Sequence, residues 1–218
     1  MKNTKKITGG VYLVIDPSWD PSFTLPRLTQ ALSAGISSIQ IWDNWPIRSN
    51  KIGFINEIMA LAGPFHVPVL INNDWKLLKE TMLDGVHFDK PCSTLKQIEN
   101  NIGRTFLKGV TCGNDLTTVQ WANDHFFDYV SFCSMFPSSS TDSCEIVRKE
   151  IVRQARKLTE MPVFVAGGIS LENISLLQDC GINGVALISA IMKSADPFET
   201  TKQFNHYFST SDETNTHS

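Results

Sequence analysis

Two short stretches late in the chain carry residue types suited to holding an anion with backbone groups instead of charge. One is Ala166-Gly167-Gly168-Ile169-Ser170 and the other is Ala186-Leu187-Ile188-Ser189-Ala190-Ile191. Paired glycines let backbone N–H groups approach a phosphate closely, and Ser189 offers a hydroxyl and an amide ahead of a helical turn. The plainer alternative is that the glycines only turn the chain and the serine only caps a helix. His87 is an acid or base available near neutral pH, although a lone histidine on a strand is more often a hydrogen-bonded structural group. Cys92, Cys112 and Cys133 fall near the ends of neighbouring strands, but without ligand-like spacing they read as buried thiols and not as a metal site. Trp42 and Trp45 either fill a pocket or stack on a flat ring.

These groups need a scaffold, and the rest of the sequence describes one. Short apolar, β-branched runs recur at 11–15, 38–41, 67–71, 85–88, 107–111, 129–132, 163–166 and 184–187. The segments between them carry apolar residues at helical spacing, as in Leu25, Leu28, Ala31 and Leu32, or Ile151, Val152 and Ala155. Strand and helix in alternation predict a parallel sheet with right-handed crossovers. Eight such units in 218 residues approach the ~250 of a (β/α)8 barrel, so the expected fold class is α/β, a single-domain TIM barrel. Gly35 and Gly181 read as glycines just past helix ends, and Ser170 as an N-cap. Residues 1–208 form the expected domain, and the polar stretch 209–218 reads as a flexible tail. In a barrel of this kind, active sites lie at the C-terminal strand ends, with phosphate commonly held by the loops after strands seven and eight. Gly167-Gly168 and Ser189 fall in those two loops.

Composition narrows the partners. Apolar residues make up 42% and charged residues 19%, which suits a packed globular chain and excludes general disorder. With 19 Lys and Arg against 22 Asp and Glu there is no basic excess for a nucleic-acid backbone. No apolar run approaches the ~20 residues of a membrane span, so the reading is a cytoplasmic protein without nucleic acid or membrane as partner. The cysteines number five and form no C-x-x-C pair, which points away from a disulfide framework and a zinc ribbon. Self-association as a homo-oligomer stays open.

Read in order, the strand-end residues carry a resemblance. Val11-Tyr12-Leu13-Val14, Gln40-Ile41-Trp42-Asp43, Asn72-Asn73-Asp74, Asp84-Gly85-Val86-His87, Gly109-Val110-Thr111, Phe136-Pro137, Gly167-Gly168-Ile169 and Ile188-Ser189-Ala190-Ile191 together resemble the thiamine phosphate synthase family, which includes the similar thiazole tautomerases. The resemblance implies a TIM barrel that joins hydroxymethylpyrimidine pyrophosphate to thiazole phosphate, releasing pyrophosphate. It also implies small phosphorylated thiazole and pyrimidine ligands and Mg2+ as cofactor. The pyrophosphate leaves first and the thiazole nitrogen attacks the pyrimidine cation, so neutralising the leaving group dominates the chemistry.

Carried over position by position, Gln40 matches a family glutamine, whereas Trp42 and Asn44 stand where the family has an arginine and a lysine. Asn72 matches an asparagine. Asn73 and Cys92 occupy the positions of the family's two magnesium-binding aspartates, so no metal ligand is assigned and the protein's charged hold on Mg2+ is missing there. Ser138, Ser139, Ser140 and Thr141 replace Thr-x-Thr-Lys, keeping hydroxyls and dropping the lysine. Thr111 stands for a serine, and Gly168, Ile188 and Ser189 match positions that hold the thiazole phosphate. The residues implied to bind substrate or phosphate are therefore Gln40, Asn72, Thr111, Ser138, Ser140, Gly168, Ile188 and Ser189, with no catalytic residue assigned. Asp74, Asp89, Arg48, Lys51 and Lys90 are available as compensating charges, but read better as solvated surface groups. The tautomerase branch has a histidine after the fifth strand; here the chain reads Thr111-Cys112-Gly113-Asn114. The expectation is a thiamine phosphate synthase-like protein of thiamine biosynthesis. The alternative is a thiazole-phosphate-binding relative that acts as an isomerase or as a non-catalytic regulatory protein.

Overall fold

A computed structural model describes residues 5–137 and 145–214. All eight strands are parallel, each bonded to the next, and β1 closes on β8 to make a barrel. They are β1 (Gly10–Ile15), β2 (Ser38–Ile41), β3 (Val69–Asn72), β4 (Gly85–Phe88), β5 (Leu107–Cys112), β6 (Tyr129–Phe132), β7 (Val163–Ala166) and β8 (Gly184–Leu187). The helices are α1 (Pro21–Ser33), α2 (Lys51–Ala62), α3 (Leu95–Ile102), α4 (Thr117–Asp124), α5 (Lys149–Leu158), α6 (Ser189–Met192) and α7 (Pro197–Thr214). Between β3 and β4, and again between β7 and β8, the crossover is a 3-10 turn (Trp75–Lys79 and Ile174–Cys180).

The period-two pattern sorts each strand into two faces. On β1, Val11, Leu13 and Ile15 pack outward under the helices, while Tyr12 and Val14 turn into the barrel. The same alternation sends Tyr129, Phe164, Leu70 and Ala186 inside. Three large rings fill this interior, and the neighbouring strands make room with glycine. A Cβ on Gly109 would stand 2.0 Å from Cζ of Tyr129. The inner layer is thus a fitted arrangement of aromatic rings against bare backbone, above which the polar inward residues face the C-terminal mouth.

Capping follows local chemistry. Asp20 accepts from the amide of Ser22 and Pro21 opens α1, while Gly35 follows that helix with φ 94° and Gly181 closes the second 3-10 turn with φ 67°. Ser170 is not the cap expected of it. The turn starts at Ile174 behind Asn173, whose Oδ1 accepts from the Ser170 amide. β3 also starts two residues later than the run 67–71, leaving Pro68 outside, and extends to Asn72, whose side chain thereby enters the barrel mouth. The backbone of α7 continues as helix to Thr214, into the polar stretch read as a tail from residue 209. Asn205 of α7 donates to the carbonyls of Ala34 and Gly35, which fastens this helix beside the end of α1.

Candidate active site

A cavity of about 510 Å³ opens at the C-terminal end of the barrel. Its wall on the β7–β8 side is Ala166, Gly167, Gly168, Ile169, Ser170 and Leu187 to Ala190, and its other side holds Tyr12, Gln40, Trp42, Asn72, His87, Asp89 and Thr111. Six residues assigned from the sequence, Gln40, Asn72, Thr111, Gly168, Ile188 and Ser189, therefore surround one space. Ser138 and Ser140 lie outside the described residues.

The glycine pair is dictated by both backbone and space. Gly167 and Gly168 have φ 90° and 64°, where a side chain is strained. A Cβ on Gly167 would come within 2.6 Å of Ser134 backbone, and one on Gly168 within 2.6 Å of the Pro137 carbonyl. The β7 loop is consequently pressed against the β6 loop, where Met135 and Phe136 amides donate to the Ala166 and Gly167 carbonyls. The Asn173 side chain completes the turn, its Nδ2 donating to the Gly168 carbonyl at 2.8 Å. Ser189 begins α6 on the opposite side of the same wall and is exposed at the mouth.

The floor is a continuous set of polar contacts. Tyr12 donates to Gln40 Oε1 at 2.8 Å, Gln40 Nε2 to Asn72 Oδ1 at 2.9 Å, and Asn72 Nδ2 to Asp89 Oδ1 at 2.9 Å. On the other side the Tyr12 and Tyr129 hydroxyls are 2.7 Å apart, Tyr129 lies 2.8 Å from His87 Nδ1, and His87 Nε2 lies 2.8 Å from Thr111 Oγ1. Burial holds the His87 imidazole down to about 4 against the pull of the Asp89 charge, so it is neutral at pH 7. Burial likewise pushes the Tyr12 and Tyr129 phenols well above their ordinary value, which keeps both protonated. His87 and Asp89 belong to this site, although a lone strand histidine and a mouth-loop aspartate gave little sign of it. The register pairs Asn72 with His87, a neighbour relation that spacing alone does not reveal.

Charge is distributed unlike an oxyanion site built on cations. Among the described lining residues Asp89 is the single charged side chain and none is Lys or Arg. Lys51 is paired with Asp74 at 3.2 Å, and neither it, Arg48 nor Lys90 reaches the cavity lining. Trp42 lines the cavity, at the position where the resemblance implies an arginine; Trp45 stays outside the lining and packs edge-on to Phe54 at 5.9 Å. Cys133 lines the cavity too, whereas Cys112 is buried on the outer face of β5 among the core side chains, its thiol pushed up to about 12 by desolvation.

The residues at the two positions where the resemblance implies magnesium ligands do not fit Mg2+. Asn73, in the left-handed region at φ 54°, directs its Nδ2 between two carboxylates, 3.1 Å from Asp43 Oδ2 and 2.7 Å from Asp89 Oδ2. A donor nitrogen there occupies the space in which a hard cation would need oxygen ligands. Cys92 faces Thr94 Oγ1 at 3.3 Å, and no group of three or more His, Cys, Asp or Glu among the described residues is placed to hold a metal.

Fold and site together define a (β/α)8 barrel with a glycine- and serine-bearing wall after β7 and β8 and a polar floor that ends on the Asp89 carboxylate. Within that class the chain belongs to the thiamine monophosphate synthase family, whose model matches residues 11–191. Thiamine-phosphate synthases from Thiobacillus denitrificans and Methanobrevibacter smithii are 26% and 27% identical to it, over 92% and 86% of this chain and 95% and 89% of theirs. The solved thiamine phosphate pyrophosphorylase of Pyrococcus furiosus has the same fold, with a TM-score of 0.80 at 20% identity over 95% of this chain and 98% of that one. No helix among the described residues is long and apolar enough to cross a membrane.

Proposed function

We propose that the chain is a thiamine phosphate synthase-like protein of thiamine biosynthesis, whose cavity takes a thiazole phosphate at the wall of Gly167, Gly168, Ile188 and Ser189. The observation that carries this reading is the convergence of those residues on one end of the cavity at the mouth of the barrel. The reaction they serve is the joining of hydroxymethylpyrimidine pyrophosphate to the thiazole with release of pyrophosphate. The phosphate wall holds the thiazole so that its nitrogen faces the pyrimidine, and Gln40, Asn72 and Thr111 form the polar floor. Departure of the pyrophosphate is the step this chain supports least, because backbone N–H groups and hydroxyls alone would meet its charge. Losing such preorganised charge slows a step by ~100-fold or more.

The absence of a cation among the described lining residues and the Asn73 amide favour a second reading, an isomerase or a non-catalytic protein that binds the thiazole phosphate or thiamine phosphate. One experiment separates the two. The purified protein is incubated with both substrates and Mg2+ while calorimetry measures binding of the thiazole phosphate. Thiamine phosphate above the protein-free control establishes the synthase reading; binding without product establishes the second. Ser189→Asp, which sets a carboxylate at the anion wall, is expected to weaken thiazole phosphate at least ~10-fold. Unchanged affinity in this variant removes the proposed wall.

A further inference from the structure

The polar floor has a direction, and a carboxylate sets it. An ionised Asp89 has no proton to give, so the Asn72 group facing it must be the NH2, which turns Asn72 Oδ1 toward Gln40. Gln40 therefore presents Nε2 to Asn72 and Oε1 to Tyr12, and Tyr12 spends its single hydroxyl proton on that oxygen. In the 2.7 Å contact between the tyrosines the donor must then be Tyr129. With the Tyr129 proton spent, His87 Nδ1 carries the hydrogen of the next contact. A neutral imidazole has one N–H, so Nε2 accepts and Thr111 donates.

We propose that Asp89 is a positioning residue: its carboxylate aligns a one-way hydrogen-bond chain across the barrel floor that fixes His87 as the Nδ1-protonated tautomer. Thr111, with its proton committed to His87, meets the cavity with oxygen lone pairs only. That side of the floor accepts a hydrogen bond and does not offer one, so it favours a ligand N–H or O–H over a carbonyl. Asn73 holds Asp89 in place through a reciprocal pair, giving Nδ2 to Asp89 Oδ2 at 2.7 Å and accepting the Asp89 amide at 3.1 Å. Asn73 thereby serves the carboxylate in a position where a relative would hold a cation.

The test is nitrogen NMR on the unliganded protein labelled at histidine, at pH 7, so its outcome is independent of whether the synthase reading stands. Wild-type His87 is expected as the Nδ1–H tautomer; observation of the Nε2–H form overturns the proposal. Tyr12→Phe cuts the chain in the middle with little change of volume. Tyr129 then lacks its acceptor and turns its proton to Nδ1, so the expected signal is Nε2–H. Asp89→Asn, nearly isosteric at an exposed position, lifts the imposed direction and should give a mixture of both tautomers. An unaltered Nδ1–H signal in either variant shows that local contacts set the tautomer, and overturns the role of Asp89.

Discussion

At the scale of the residue, His87 shows how burial decides a protonation state that the residue type leaves open. Its ordinary pKa near 6.5 is lowered to about 4 in the folded chain, so the unfolded chain takes up a proton in a range where the native protein refuses it. The resulting stabilisation is complete above pH 6.5 and is lost as pH falls through about 4. The difference corresponds to about 3 kcal/mol. Urea unfolding at pH 7.5 and 4.5 should show most of that difference, about 2–3 kcal/mol, as extra loss for the wild type over His87→Gln. Parallel behaviour of the two proteins would mean that His87 is protonated in the native state. Cys112 offers no such handle, since its thiol stays protonated throughout this range.

At the scale of elements, fit between strands matters more than the propensity of any one of them. Gly109→Ala would drive a methyl into the Tyr129 ring and is expected to cost about 1–3 kcal/mol by urea unfolding. Tyr129→Leu in the same chain should recover part of that cost, and a purely additive double variant would place the strain elsewhere. Much of the barrel was legible in the sequence because the two-residue period and the helical spacing are local signals. Pro68 hid the start of β3, since the apolar run crosses it while the strand does not. The crossover after β7 was readable as helical, but its 3-10 geometry was not, because apolar residues at 171, 174 and 177 suit either helix. The place of the glycine pair on the cavity wall was legible for the same local reason: adjacent glycines at a predicted strand end. The floor was not, because Tyr12 meets Gln40 across 28 residues and Tyr129 across 117.

At the scale of the whole molecule, charge is the informative quantity. The formal net charge is −3, and the described cavity lining holds a carboxylate and no cation, so no lining charge among the described residues steers a phosphate ester inward. Raising salt from about 0.01 to about 0.3 M should leave thiazole phosphate binding unchanged or slightly tighter, as screening weakens the repulsion by Asp89. A marked loss of affinity with salt would reveal a cation reaching the ligand. Conversely, Trp42→Arg should raise the affinity for inorganic pyrophosphate at least ~10-fold, measured by calorimetry. No gain would show that residue 42 does not face the pyrophosphate position.

The polar floor also bears on the order in which the barrel can assemble. Its members stand on β1 to β6 and in the loop after β4, so Tyr12 and His87 have no complete set of partners until Tyr129 has been made. Burying those groups earlier would strand them without hydrogen bonds, at a cost of about 1–3 kcal/mol each. The first five strands therefore gain little by closing up during synthesis. β1, the first strand to emerge, waits longest, because its second neighbour is β8. Commitment to the native barrel falls late, when the C-terminal strands arrive carrying the Gly167-Gly168 and Ser189 loops with them.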